Sequence, residues 1–327
     1  MKVYLEQGVS QGAMRGPSKF MGKLVTAMGK IGVFMKHDSY VGSEISFTLP
    51  HWKLCCKGIH KVRPRLMRAD GSLPGGSDAR RLKYAKRILA SDVVVWQSEF
   101  VKRAASKLFD VPSIGPVIHN GEDPDIYKVA RIPSDGKHHV VMMSNWKSAG
   151  GRFRPEKRLS EMLHVANEFS KKNRDVEFWV IGDTGINHPP NPSIKFLGRM
   201  PHHELVRYMV SANCMLFLGW CEWCPNAMVE ALVPGTPVIC LNGSGAEELV
   251  KIGFGEVLPL EPPVDISYYR NHGAHVPRIE LDAVQGALDR WSRCQIKRPA
   301  KELFISRTAE KYKDILERTV RGERWVS

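Results

Sequence analysis

The stretch MLFLGWCEWCPNAMVEALVPGTPVICLNGSGAEELV, residues 215–250 of the 327-residue chain, decides the fold. Its first four residues are apolar and predict a short buried strand. Residues 227–232 then predict a helix that opens near Asn226, and Pro234-Gly235 ends it before a second apolar strand at 238–241. A buried strand, a helix and another buried strand in succession indicate parallel strands joined by a crossover helix.

The same alternation continues on both sides of this stretch. Strands and helices alternate before a linker at 131–138, and a second alternating series follows it. Two such series predict an α/β protein with two Rossmann-like domains facing a central cleft, where ligands bind at the carboxyl ends of the strands. We expect a short, basic N-terminal domain at 1–137 and a C-terminal domain at 138–300. The last segment, 301–327, is expected to form a helix that packs back toward the first domain.

The composition is that of a folded protein. Hydrophobic residues make up 43% and charged residues 25%, which excludes a disordered or collagen-like chain. No apolar run reaches the roughly 18 residues of a membrane span, and residues 1–14 show no signal-peptide pattern, so we expect a cytoplasmic protein. The C-x-x-C motif at 221–224 has no second pair of similar spacing, and no zinc site is expected there.

Two glutamates carry the chemistry of the opening stretch. Seven residues separate Glu222, in the loop before the predicted helix, from Glu230, on its second turn. The free backbone N–H groups near Pro225, Asn226 and Ala227 can receive a phosphate at the helix start. A carboxylate such as that of Glu230 suits bidentate hydrogen bonding to the diol of a ribose.

These residues resemble the E-x7-E element of the retaining GT-B glycosyltransferases, in particular the GT4-like group. The family pattern runs roughly E-G-F-P-N-x-x-x-E-A-x-A-x-G-x-P-V, and here residues 222–238 read EWCPNAMVEALVPGTPV. Further family landmarks are matched, in the expected order, by residues 91–100, 117–123, 196–205 and 243–248. The resemblance implies a retaining enzyme that moves a sugar from a nucleoside diphosphate sugar to an acceptor hydroxyl, with no metal and no cofactor other than this co-substrate.

The resemblance also implies roles for individual donor-site residues. Lys157 matches the lysine that binds the pyrophosphate of the donor, and either Arg152 or Arg154 supplies the accompanying arginine, with Arg154 favoured. Glu222 would hold the donor sugar and Glu230 the ribose.

Two residues of the N-terminal domain complete the predicted site. Gly12, in a glycine-rich loop, could let the backbone approach the donor phosphate, although an ordinary strand–helix turn explains such a loop equally well. Asp70, in an R-x-D-G sequence found in some family members, could orient the acceptor hydroxyl or simply form a turn.

The acceptor is left open by the sequence. The net charge is +14, and residues 51–90 hold 11 basic residues against 2 acidic ones, an imbalance that favours a polyanion but also fits a solvated basic surface. DNA with a hydroxylated base is the favoured acceptor. The residues expected to bind it are Arg68, Arg80, Arg81, Lys86 and Arg87.

Two alternatives compete with DNA as the acceptor. One is a lipid-linked or oligosaccharide acceptor at an anionic membrane surface, with the predicted helix at 19–30 as an interfacial anchor. The other is a basic binding protein that has lost catalysis, against which the intact pair of Glu222 and Glu230 argues.

Overall fold

The computed structural model describes residues 1–6, 16–37, 40–49, 62–69, 78–147, 151–185, 191–260, 277–323 and 325. The chain divides into two compact units. Unit 1 contains Met1–Asp123 and Glu302–Ser327, and unit 2 contains Pro124–Asp265 and Asn271–Lys301. The division therefore falls at Asp123, before the linker expected at 131–138, and the last helix belongs to the first unit.

Strands and helices alternate along both units. The strands are β1 (Lys2–Leu5), β2 (Phe34–Lys36), β3 (Ile45–Thr48), β4 (Arg65–Ala69), β5 (Val93–Trp96), β6 (His138–Met143), β7 (Val176–Ile181), β8 (Ile194–Gly198), β9 (Cys214–Phe217), β10 (Val238–Leu241) and β11 (Gly255–Leu258). The helices are α1 (Gly16–Lys30), α2 (Asp78–Leu89), α3 (Glu99–Phe109), α4 (Leu159–Lys172), α5 (His202–Ser211), α6 (Asn226–Leu232), α7 (Gly245–Ile252), α8 (Leu281–Trp291) and α9 (Ile305–Val320).

Each unit is built on one sheet whose paired strands all run parallel. Among the described residues, the sheet of unit 1 has the order β2-β1-β3-β4-β5 and that of unit 2 the order β11-β10-β9-β6-β7-β8. In unit 2, Val141 of β6 pairs with both Trp179 of β7 and Met215 of β9. Strands β5 and β9 are buried along their whole length, which explains their continuous apolar sequences. The prediction of two parallel α/β domains is confirmed.

The first and the last helix, α1 and α9, pack together in the core of unit 1. Phe20, Leu24 and Met28 of α1 are buried in one cluster with Tyr312 and Leu316 of α9. Phe20, Leu24 and Met28, the residues expected to enter a membrane, thus pack inside the unit. The prediction of an interfacial anchor at 19–30 is wrong, because an amphipathic pattern shows that one side of a helix is covered but not by what. Among the described residues, no helix is long and apolar enough to cross a membrane.

Candidate donor-binding site

Lys157 and Glu222 form a direct ion pair. Lys157 ends a single 3₁₀ turn, Pro155–Lys157, that follows β6, and Glu222 lies in the loop between β9 and α6. The Lys157 Nζ donates a hydrogen bond to Glu222 Oε1. Lys157 is buried, and the side chain of Glu222 is 18% exposed. The structure thus brings together two residues that the sequence separates by 65 positions.

Backbone hydrogen bonds hold the loop that carries Glu222 against the 3₁₀ turn and against the start of α7. Trp220 N donates to Glu156 O over 3.0 Å, and Gly245 N donates to Glu222 O over 2.8 Å. Cys221, next to Glu222, has a φ of 59°, a left-handed conformation that costs about 1–3 kcal/mol for a residue other than glycine. The loop that carries Glu222 is therefore fixed by its neighbours in a conformation that it would not adopt alone.

Arg154 has its own carboxylate partner. Its Nε donates to Glu156 Oε1 over 2.7 Å. Burial alone would raise the pKa of Glu156, but the hydrogen bond and the charge of Arg154 together hold that pKa below its usual range. The alternative arginine, Arg152, is exposed. Sequence reasoning missed Glu156, although its position between Arg154 and Lys157 was a usable signal.

Glu230 lies on α6 and is buried, with 5% of its surface exposed. Its Oε1 is 3.7 Å from His202 Nε2, at the start of α5. The sequence indicated Glu230 but assigned no role to His202, because nothing local connects these two helices. As predicted, α6 begins at Asn226, directly after Pro225 and before Ala227.

Several predicted residues lie outside the described part of the chain. These are Gly12 and Asp70, together with the side chains of Arg80 and Arg81. Their roles stay predictions.

Arg68 and Arg87 correct the predicted acceptor surface. Arg68 is fully buried in unit 1, where it donates to Tyr312 Oη over 2.8 Å and to Asn120 Oδ1 and stacks 3.9 Å from the centre of the Phe20 ring. Arg87 is also buried, and this burial lowers its pKa although the charge of Glu6 acts in the opposite direction. Neither guanidinium lies on a surface that could meet a phosphate backbone, so the prediction is wrong for these two. Lys86 is exposed, as expected.

Comparisons with known proteins place this site in a recognised segment. Residues 149–261 match the family of glycosyl transferases group 1. A curated relative, 2-deoxystreptamine N-acetyl-D-glucosaminyltransferase from Niallia circulans, is 28% identical over 126 residues. That alignment covers 36% of this chain and 32% of the relative, so the chain spans about a third of the length of the curated relative it matches.

Solved structures resemble the whole chain. Sucrose-phosphate synthase from Thermosynechococcus elongatus has a TM-score of 0.68 at 12% identity and covers 98% of this chain and 100% of its own. HepE from Anabaena, solved with UDP and glucose, has a TM-score of 0.61 at 14% identity, with coverage of 97% and 99%. The chain thus has the GT-B fold, and its residues 149–261, which include Lys157, Glu222 and Glu230, match the glycosyl transferases group 1.

Proposed function

We propose that the protein transfers a sugar from a nucleoside diphosphate sugar to an acceptor hydroxyl, with retention of the anomeric configuration. The observation that carries the proposal is the contact between Lys157 and Glu222, inside the segment that matches the glycosyl transferases group 1. A basic binding protein without catalysis would have no need of this arrangement.

Two cations are available for the diphosphate of the donor. The guanidinium of Arg154 presents a planar fork to phosphate oxygens, and the ammonium of Lys157 acts as a point charge. Each is paired with a carboxylate, Glu156 and Glu222 respectively, so the charges of the two pairs cancel. As the bond to the sugar breaks, negative charge grows on the diphosphate, and these two cations stabilise it without a metal ion.

The two glutamates of the motif bind different parts of the donor. Glu222, beside the phosphate-binding lysine, accepts hydrogen bonds from hydroxyls of the sugar. Glu230 accepts them from the ribose diol, with His202 close to its carboxylate. The transition state has oxocarbenium character. The structure of HepE with UDP and glucose supports UDP as the first nucleotide to test.

Donor binding is tested with UDP and isothermal titration calorimetry. Glu230→Ala removes the acceptors for two ribose hydroxyls and should weaken UDP binding by about 1–3 kcal/mol, or roughly 5–150-fold. Glu168→Gln, which changes a carboxylate of α4 paired with Lys171, is the control and should leave the affinity unchanged. Unaltered UDP affinity in a folded Glu230→Ala variant would contradict the role of Glu230. If no nucleoside diphosphate sugar raises the melting temperature of the wild type, the proposed function is contradicted.

For the acceptor, we propose a polyanion, with DNA carrying a hydroxylated base as the first candidate. The support is the basic surface of α2. Arg68 and Arg87 are buried and do not belong to it, but Lys83 and Lys86 are both exposed. Gly12 and Asp70 keep their proposed roles toward donor and acceptor.

One observation favours the membrane alternative. Leu82 and Leu89, on the same helix as these lysines, are 56% and 64% exposed. Exposed leucines among lysines are typical of a helix that lies at the surface of an anionic membrane.

Paired variants of α2 separate the two acceptors. Duplex DNA and anionic vesicles are titrated over a range of salt, with Lys83→Ala/Lys86→Ala against Leu82→Ser/Leu89→Ser. If DNA is bound, the lysine variant alone weakens duplex binding and flattens the salt dependence by about 0.9 in log–log slope per lost phosphate contact. If the leucine variant abolishes vesicle binding and the wild type does not bind duplex at low salt, the membrane alternative replaces DNA.

A further inference from the structure

Three side chains meet at the amino-terminal edge of the sheet of unit 2. Asp135 precedes β6, His139 is the second residue of β6, and Glu177 is the second residue of β7. One ligand atom from each lies within 4.8 Å of the other two. Lys157 and Glu222 follow the opposite, carboxyl ends of strands β6 and β9, so this cluster is separate from the proposed donor site.

The imidazole of His139 is the central group of the cluster. The residue is 6% exposed, and its Nε2 atom is buried without a hydrogen bond of acceptable geometry. The ring stacks on Trp179, with ring centres 3.9 Å apart. A buried ring nitrogen needs a polar partner, and a metal ion can supply one.

The spacing of the three ligand atoms is that of a metal site. His139 Nε2 is 3.4 Å from Asp135 Oδ2 and 4.0 Å from Glu177 Oε1. Zinc binds nitrogen and carboxylate ligands at about 2.0–2.2 Å, which places tetrahedral ligand atoms roughly 3.4 Å from one another. The third spacing, between the carboxylate oxygens of Asp135 and Glu177, is no more than 4.8 Å.

The surroundings of Glu177 leave one of its oxygens for a cation. Lys137 Nζ and Lys195 Nζ lie 3.3 and 3.9 Å from Oε2. Oε1 faces the imidazole and accepts a hydrogen bond of 2.9 Å from Trp179 Nε1, an outer contact of the kind that orients metal ligands. The side chain of Asp135 is 49% exposed, which gives an ion access and leaves room for a water ligand.

We propose that Asp135, His139 and Glu177 bind a divalent transition-metal ion, best matched by Zn²⁺, which fastens the segment before β6 to the sheet. One imidazole with two carboxylates suits zinc, whereas magnesium and calcium prefer oxygen ligands only. The proposal does not depend on the proposed sugar transfer.

The test uses the full chain after treatment with a chelator. Titration with Zn²⁺ should give one bound ion per chain and a higher melting temperature, and Co²⁺ should give visible absorption bands from a nitrogen and oxygen site. Asp135→Asn and His139→Gln should each weaken Zn²⁺ binding at least tenfold. The matched control is His203→Gln, because His203 Nε2 lies 3.9 Å from Glu204 on the surface in a pair that does not belong to this cluster.

Two outcomes would overturn the proposal. One is Zn²⁺ binding of equal affinity in the wild type and in Asp135→Asn. Because Asp135 is exposed, this substitution leaves the core intact and serves as the test even if His139→Gln does not fold. The other is the absence of Zn²⁺ binding, or binding of Mg²⁺ as tightly as Zn²⁺.

Discussion

Replacement of Glu222 by glutamine should make free UDP bind more tightly. The Glu222 carboxylate accepts a hydrogen bond from Lys157 Nζ, so an incoming diphosphate must compete with it for the same ammonium. The carboxylate also repels the diphosphate. Two unit charges about 5 Å apart interact by roughly 3 kcal/mol at an effective dielectric constant of about 20. Because the side chain of Glu222 is 18% exposed, water screens part of this repulsion. We expect a gain of about 1–2 kcal/mol, or roughly 5–30-fold.

Calorimetric titration with UDP at fixed, low ionic strength measures the effect. Glu161→Gln is the matched control, because it neutralises another glutamate of unit 2, one that is 3.4 Å from Arg158, and it should leave UDP affinity unchanged. Lys157→Ala should weaken UDP binding about tenfold or more, since it removes the charge for which the two anions compete.

The same variant should lose activity with an intact donor. Glu222→Gln removes the proposed carboxylate acceptor for sugar hydroxyls, so affinity for the nucleotide rises while sugar transfer falls. A folded Glu222→Gln variant that binds UDP with unchanged or lower affinity would refute the argument that this carboxylate competes with the diphosphate for Lys157.

Two further predictions concern stability. Arg68→Met should destabilise unit 1 by about 2–4 kcal/mol in urea unfolding, because it removes a buried cation that donates hydrogen bonds to Tyr312 Oη and Asn120 Oδ1. The exposed Lys86→Met should change stability by no more than about 0.5 kcal/mol, and equal stability of the two variants would contradict the buried role of Arg68. Burial lowers the pKa of Lys297 from 10.5 to about 8, so the unfolded chain binds more protons than the folded one between these values and stability rises with pH there. Lys297→Met should abolish that rise, which amounts to at most about 3 kcal/mol, and identical pH profiles for variant and wild type would contradict it.

Local patterns were sufficient for the fold class and for part of the site. The apolar runs of β9 and β10, with Pro234-Gly235 between them, predicted parallel α/β structure because strand burial and helix termination depend on neighbours in sequence. The spacing of Glu222 and Glu230 around the start of α6 could be recognised in the sequence for the same reason.

Contacts between distant segments could not be read in this way. Arg68 counted as a surface charge until the structure placed it against Tyr312, 244 residues further along the chain. His202, beside Glu230, entered the site only with the tertiary structure. Glu156, two residues from its partner Arg154, could have been found from the sequence. A charge in the sequence is compatible with water or with a buried partner, and periodicity shows only that one face is covered. The sequence by itself determined the alternation of strands and helices around the segment from β9 to β10, since that depends on nearby residues. The tertiary structure decided which charges are buried and paired, since that depends on packing between segments far apart in the chain.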